Sequence, residues 1–273
     1  MKKISIITPV YNGAKYIQAC LQNFADQQCP QAEHLIMDGG SNDGTVEIIQ
    51  EWATHHPNVR LISEKDKGQS DAMNKGIRMA EGSIISFLNV DDYYEPGVLN
   101  RVLAVFKDLP EPSFVCSNLN IWNGDGTKRH FNQPSRLLLP EIISNKFEWP
   151  YNPTAYFYHK SLHDKTGLYN LDNHYCMDYE FILEAAKHIR LRYVDEVWGN
   201  FCVVEESKTF NSHTGAIEKA RQAGRELREK AKASLSEDEL KFLESLLTEA
   251  PVAAPKPGIL GRLKSGIKGL FRP

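Results

Sequence analysis

Two hydrophobic periods alternate along the first hundred residues. Lys3–Thr8 is nearly continuous in apolar side chains and reads as a buried strand. Ala14–Gln27 then sets Ile17, Leu21 and Phe24 at helical spacing. Glu33–Met37 predicts a second strand and Thr45–His55 a second helix, with Val46, Ile48, Ile49 and Trp52 as its stripe. Val59–Ser63 predicts a third strand, Asp71–Ala80 a helix, Ser83–Leu88 a fourth strand and Pro96–Lys107 another helix. This alternation predicts βαβ units on a mostly parallel sheet flanked by helices.

The pattern changes near residue 112. Ser113–Ser117 and Asn118–Trp122 predict strands, and Asn-Gly-Asp-Gly at 123–126 a tight turn. Residues 127–160 are mixed and aromatic. Met177–His188 predicts a helix with Phe181, Ile182, Ala185 and Ile189 on one face, followed by strands at Leu191–Val194 and Val197–Val204. Thr214–Leu247 is charged and helical in pattern, and Ser236-Glu-Asp-Glu has the form of a capping box. Residues 250–257 are rich in proline and alanine and read as a linker. In residues 258–273, Ile259, Leu260, Leu263, Ile267, Leu270 and Phe271 fall on one helical face, with Arg262, Lys264 and Lys268 away from it. Such a basic amphipathic helix suits an anionic membrane surface, although its glycines weaken it as a free helix and a disordered tail or a partner-docking helix is the alternative. The expected division is a main domain over 1–212, a helical extension over 213–249, the linker, and the tail.

A chain of 273 residues can bury a sizeable core without disulfides. Its formal net charge of −3 argues against general nucleic-acid binding. Cys20, Cys29, Cys116, Cys176 and Cys202 form no CxxC pair, which fits reduced, buried thiols in a cytosolic protein and argues against zinc. The N-terminal apolar run is too short for a leader, because Pro9, Asn12 and Gly13 stop it, and no stretch is long enough to span a bilayer. The expected location is the cytoplasm, peripheral on the inner face of the membrane.

Candidate chemistry gathers at strand ends, where open α/β sheets bind ligands. Polar residues follow three predicted strands: Pro9-Val-Tyr11-Asn12, Asp38-Gly-Gly-Ser41 and Asn89-Val-Asp91-Asp92. Two acids directly after a buried strand fit a hard cation that takes its remaining ligands from a diphosphate and water. The plainer alternative is that Asp92 caps a helix starting near Glu95. Neither a GxGxxG nor a GxxxxGK[ST] fingerprint is present, which disfavours dehydrogenases and P-loop enzymes.

ISIITPVYNGAKYI, IMDGGSNDGT and EKDKGQSDAMNKGIRMAEGSIISFLNVDD, in that order, resemble the donor-binding half of the family 2 glycosyltransferases of GT-A fold, in the bacterial surface-polysaccharide and O-antigen branch. The resemblance implies a metal-dependent, inverting enzyme that moves a sugar from a nucleotide-sugar, by expectation a UDP-sugar, to a glycan or lipid-linked acceptor. It implies that Asp38 reads the uracil ring, that Pro9 and Tyr11 contact the base, and that Asp66, Asp71 and Asn74 lie beside the nucleotide. Asn89 and Asp91 take the places of the DxD motif, with Asp91 on Mg²⁺ or Mn²⁺. Asp178 in YCMDYEFILEAAKH resembles the general base, with Glu180 a weaker competitor; helix capping is the alternative role of Asp178. Lys208 matches a phosphate-side position. Two positions depart from the family pattern: Val204, Glu205 and Glu206 stand where a His is usual, with His213 nearby, and Asn152 stands where relatives often carry His. Trp149, Tyr151, Asn152 and Tyr156 are acceptor-side candidates. The competing functions are a non-catalytic sugar-nucleotide or membrane scaffold with a degenerate site and, more weakly, a nucleotidyltransferase.

Overall fold

A computed structural model describes residues 3–204 and 216–248. The first half follows the alternating pattern. β1 (Ile4–Val10), α1 (Ala14–Asp26), β2 (Ala32–Asp38), α2 (Thr45–Ala53), β3 (Val59–Ser63), α3 (Gln69–Met79) and β4 (Ile84–Phe87) form in sequence. They are followed by β5 (Tyr93–Tyr94), α4 (Val98–Phe106), β6 (Phe114–Asn123), β7 (Lys128–Asn132), α5 (Leu139–Ser144) and β8 (Tyr156–His159). The chain continues through α6 (His163–Thr166), α7 (Met177–His188), β9 (Arg192–Val203), α8 (Ala216–Lys232) and α9 (Glu237–Thr248).

The strand order is β3-β2-β1-β4-β8-β6-β9-β5, with β7 paired to β6. β1 to β4 run parallel. β8 is antiparallel to both β4 and β6, and this double reversal makes β6 run the same way as β4. β9 is parallel to β6. The C-terminal ends of β1, β2, β4, β6 and β9 therefore share one edge of the sheet.

Large apolar side chains seal both faces. Ile7, Met37, Phe87, Phe114, Tyr156 and Phe181 meet on the side covered by α3, α5 and α7. Ile6, Phe24, Val102, Phe157 and Trp198 meet on the side covered by α1 and α4. Each such side chain contributes roughly 1.5–3 kcal/mol on burial. Ala231 of α8 and Leu243 of α9 join the first cluster, so the helical extension packs on the main core. The Ser236 capping box forms: Glu239 N donates to Ser236 Oγ at 3.3 Å and Ser236 N to Glu239 Oε2 at 2.8 Å.

The second half departs from the predicted pattern. The two short strands expected on each side of residue 117 are one strand, β6, and those around residue 195 are one strand, β9. Ser117 pairs with Val194 but Asn118 with Val197, so Asp195 and Glu196 bulge out of the ladder. That polar interruption split the apolar pattern. β8, the strand between β4 and β6, lies inside the aromatic stretch to which no strand was assigned. None of the five cysteines is in a disulfide, and Cys20, Cys29 and Cys116 are buried. Among the described residues no helix is long and apolar enough to cross a membrane. The linker, the basic tail, Glu205, Glu206, Lys208 and His213 lie outside the described residues.

Candidate active site

The loops after β1 and β2 are bolted together. Asn12 adopts a left-handed conformation (φ 52°) that turns the chain out of β1 and leaves Tyr11 65 % exposed. Asn12 N donates to Ser41 Oγ at 2.7 Å, and Asn42 N donates back to Asn12 Oδ1 at 3.0 Å. Asp43 accepts from Ala14 N at 3.0 Å and Thr45 N at 3.1 Å, starting two helices with one carboxylate.

Asp38 is 2 % exposed and spends its acceptors inside the chain. It takes Gly40 N at 3.1 Å, Ser41 N at 3.2 Å, Ser63 Oγ at 2.7 Å and the Ser41 hydroxyl. A carboxylate so engaged shapes the Gly-Gly-Ser loop and ties it to β3. These bonds engage most of its acceptor positions, while the residue still lines the cleft at the strand end. Asp66 brings a second carboxylate beside the loop. A Cβ added at Gly39 would stand 2.6 Å from Asp66 Oδ2, so Asp66 occupies the space that a side chain at position 39 would fill. Asp66 Oδ1 accepts Gly68 N at 2.8 Å, and the residue also lines a narrow cleft with Asp38, Glu64 and Lys75.

α3 begins at this cleft. Asp71 Oδ2 accepts Lys67 N at 3.1 Å, and Lys75 Nζ reaches Glu64 at 2.9 Å and Asp71 at 3.6 Å. One turn into the helix, Asn74 is 3 % exposed. Its Nδ2 donates to Tyr169 O at 2.8 Å and its Oδ1 accepts Tyr169 N at 2.9 Å. Asn74 therefore latches α3 to the segment before α7.

The loop after β4 is organised by Asp92, which is 3 % exposed. Asn89 Nδ2 and Asn152 Nδ2 each donate to its Oδ2 at 2.8 Å, and Cys202 N donates to its Oδ1 at 2.9 Å. Asp92 thus does not cap α4, which starts only at Val98. Burial, then the neighbouring charge of Asp91, push its carboxyl well above the usual range. Gln69 Nε2 reaches Asn89 Oδ1 at 3.4 Å, linking α3 to the same loop. Asp91 beside it is half-buried.

Asp178 stands half-buried in the first turn of α7. Cys176 is the cap position, and its N–H goes to Asn173 Oδ1 at 2.9 Å. Tyr156 Oη donates to Asp178 Oδ1 at 2.9 Å, while Glu180 Oε2 accepts Asn173 Nδ2 at 2.7 Å. Ser70 Oγ lies 3.3 Å from Met177 Sδ, so the start of α3 touches the start of α7. The acceptor-side candidates are deeper than expected. Tyr156 is fully buried and Asn152 is 3 % exposed. Trp149 and Tyr151 are half-buried, 5.1 Å apart, and Trp149 packs 4.8 Å from Tyr179.

The sequence model of the family described as "Glycosyl transferase family 2" matches residues 5–169. The chain belongs to this family. The glycosyltransferase is 36 % identical to the chondroitin synthase of Escherichia coli over 148 residues, which are 54 % of this chain and only 19 % of that protein. It is 35 % identical over 211 residues to a PGL/p-HBAD biosynthesis glycosyltransferase of Mycobacterium bovis, covering 72 % of this chain and 75 % of the relative. Residues 1–349 of S. aureus TarS in complex with UDP-GlcNAc share its architecture, with TM-score 0.68 and 20 % identity over 90 % of this chain and 70 % of that one. The mannosyltransferase PcManGT from Pyrobaculum calidifontis, in complex with GDP-Man and Mn²⁺, overlays with TM-score 0.57 and 16 % identity over 89 % of this chain and 79 % of that one. The fold is GT-A. The sequence offers Asp92 as one of two acids after a buried strand; its place as the shared acceptor of Asn89, Asn152 and Cys202 is the feature that sequence reasoning missed.

Proposed function

We propose that the glycosyltransferase uses a UDP-sugar donor and transfers with inversion to a hydroxyl of a glycan or lipid-linked acceptor in surface-polysaccharide synthesis. One observation carries the reading: α3 touches the Asn89–Asp92 loop through Gln69 and the base-bearing helix through Ser70. Residues proposed for the donor and for proton removal therefore meet at one end of one helix. The UDP-GlcNAc complex of TarS supports a uridine donor.

The donor set tests the metal. Among the described residues no group of three or more His, Cys, Asp or Glu is placed to hold a cation. Asp92 accepts three N–H donors, and the adjoining Asp91 brings a second carboxylate to the same loop. That fits Mg²⁺ or Mn²⁺ held chiefly by the substrate's diphosphate and water. When bound, the ion would offset negative charge on the leaving diphosphate. The chain's own residues do the rest. Asp66, Tyr11 and Pro9 are the residues proposed for the nucleoside, and Asp71 and Asn89 those proposed for the ribose and sugar. Asp178 takes the proton of the acceptor hydroxyl as its oxygen attacks the anomeric carbon, and the nucleoside diphosphate leaves from the opposite face. Lys208 and the basic tail are proposed for the phosphates and for an anionic membrane surface.

Turnover of UDP-sugars with Mn²⁺ in wild type and Asp178→Asn tests this. The proposal expects UDP release in wild type, loss of about 10²–10⁴-fold in the variant, and a product of inverted anomeric configuration. UDP binding without transfer in wild type would favour a scaffold role. Full activity in Asp178→Asn would remove Asp178 as base.

A further inference from the structure

Behind Asp178 lies a buried set of phenols. Tyr156, on β8, is fully buried and directs its hydroxyl to Asp178 Oδ1 at 2.9 Å. Its ring stacks on Phe114 with centroids 5.0 Å apart, so the phenol has little room to swing. Tyr158, on the same face of the same strand, is also fully buried but serves another partner. His163 Nδ1 lies 2.8 Å from Gly167 O, a carbonyl that can only accept, so that nitrogen carries the proton. His163 Nε2 is then the acceptor for Tyr158 Oη at 3.0 Å. Tyr169 packs edge-on against Phe87, at 5.6 Å, and its backbone is latched by Asn74. α3 therefore holds up the wall of phenols that holds Asp178.

The chemistry of the pair is one-directional. Burial, then the charge of Asp178, push the Tyr156 phenol far above its ordinary range. Tyr156 stays protonated and remains a donor across the working range of pH. A hydrogen bond donated to a carboxylate favours its ionised form and fixes its orientation. An acceptor hydroxyl needs both, because a protonated or rotated carboxylate removes no proton from it.

We propose that Tyr156 is the positioning residue of Asp178, holding the carboxylate ionised and in one orientation for the transfer step. Asp178 as the base is the reading on which this rests. It also reassigns Tyr156 from the acceptor surface to the support of the base.

The test compares ¹³C titrations of the Asp178 carboxyl in wild type, Tyr156→Phe and Tyr158→Phe, with Asp178→Asn assigning the resonance. Loss of the donor in Tyr156→Phe is expected to raise the Asp178 pKa by about 1 unit. Tyr158→Phe, which removes an equally buried hydroxyl on the same strand, is expected to leave it in place. An unchanged titration in Tyr156→Phe overturns the proposal, and so does an equal shift in both variants, which would mark a general loosening of the core. Turnover of Asp178→Asn is read separately: full activity there removes the base reading, whatever the titrations show. If Tyr156→Phe does not fold, 3-fluorotyrosine placed at position 156 replaces it, since it keeps the ring and makes the hydroxyl a stronger donor; it is then expected to lower the Asp178 pKa, and no shift there counts against the proposal.

Discussion

Asn152 donates its amide to the buried carboxylate of Asp92, Nδ2 to Oδ2 at 2.8 Å, across 60 positions of sequence. The same oxygen takes Asn89 and the other takes the backbone of β9, so one side chain joins the donor loop to the second half of the sheet. Asn152 also closes its own turn by accepting Thr154 N at 2.9 Å. The residue that stands in place of the family's histidine is thus a strut.

Asp92→Asn puts an amide N–H₂ against these donors. It is expected to lower stability by about 3 kcal/mol, because buried N–H donors lose an acceptor oxygen. In a chain of this size that is a fall of about 10 °C in Tm. Asn152→Ala, which removes one of the three donors, should cost about 1–2 kcal/mol. Thermal unfolding followed by circular dichroism measures both.

Asp38 and Asp66 should separate stability from binding. Asp38→Ala leaves the donors of the Gly-Gly-Ser loop without their acceptor and is expected to cost about 2–3 kcal/mol. Asp66→Ala should change stability by less than about 1 kcal/mol and weaken UDP binding at least tenfold. Paired unfolding and calorimetric titrations check this, and the reverse order of effects would return the base-reading role to Asp38.

Gly39→Ala tests the same contact from the other side. The new methyl would stand 2.6 Å from Asp66 Oδ2, too close to be tolerated, so Asp66 must move. We expect UDP affinity to fall about tenfold while the fold is kept, since position 39 has no left-handed conformation to lose. Unchanged affinity would show that Asp66 does not face the nucleoside.

His34 makes stability depend on acid. It is fully buried, and burial lowers its pKa from 6.5 to about 3. Thr8 gives its proton to Leu88 O at 2.7 Å, so His34 Nε2–H donates to Thr8 at 2.8 Å and Nδ1 is left without a partner. A neutral buried His means that the unfolded state binds the extra proton. Its contribution is intact above the unfolded pKa of about 6.5 and falls as pH drops toward the folded pKa, by up to ~1.4 kcal/mol per unit. Denaturant unfolding between pH 7 and 4 should show this slope reduced in His34→Gln.

The parallel half of the fold was legible because β1, β2 and β4 are buried on both faces and read as apolar runs. β8 was not. Its four residues carry no period of their own, and their partners, Ile84–Ile85 and Phe114–Cys116, are remote in sequence. The site was legible as a set of motifs but not as a division of labour. Asp38 and Asn74 sit inside motifs that resemble nucleotide contacts, and the motifs do not show that both side chains also bond within the chain. Conversely Asp92 reads either as one of two acids for a cation or as a cap for the helix just beyond it, while its partners Asn152 and Cys202 come from across the sheet.

The central claim is a uridine nucleotide site at the shared strand edge, with Asp91 as its metal carboxylate. Calorimetric titration of wild type and Asp91→Ala with UDP and with GDP, each with and without Mn²⁺, tests it most directly. The account predicts that wild type binds UDP at least tenfold more tightly than GDP, that Mn²⁺ tightens UDP binding, and that Asp91→Ala abolishes the Mn²⁺ effect while folding normally. Absent UDP binding, equal affinity for GDP, or an Mn²⁺ effect that survives in Asp91→Ala would contradict it.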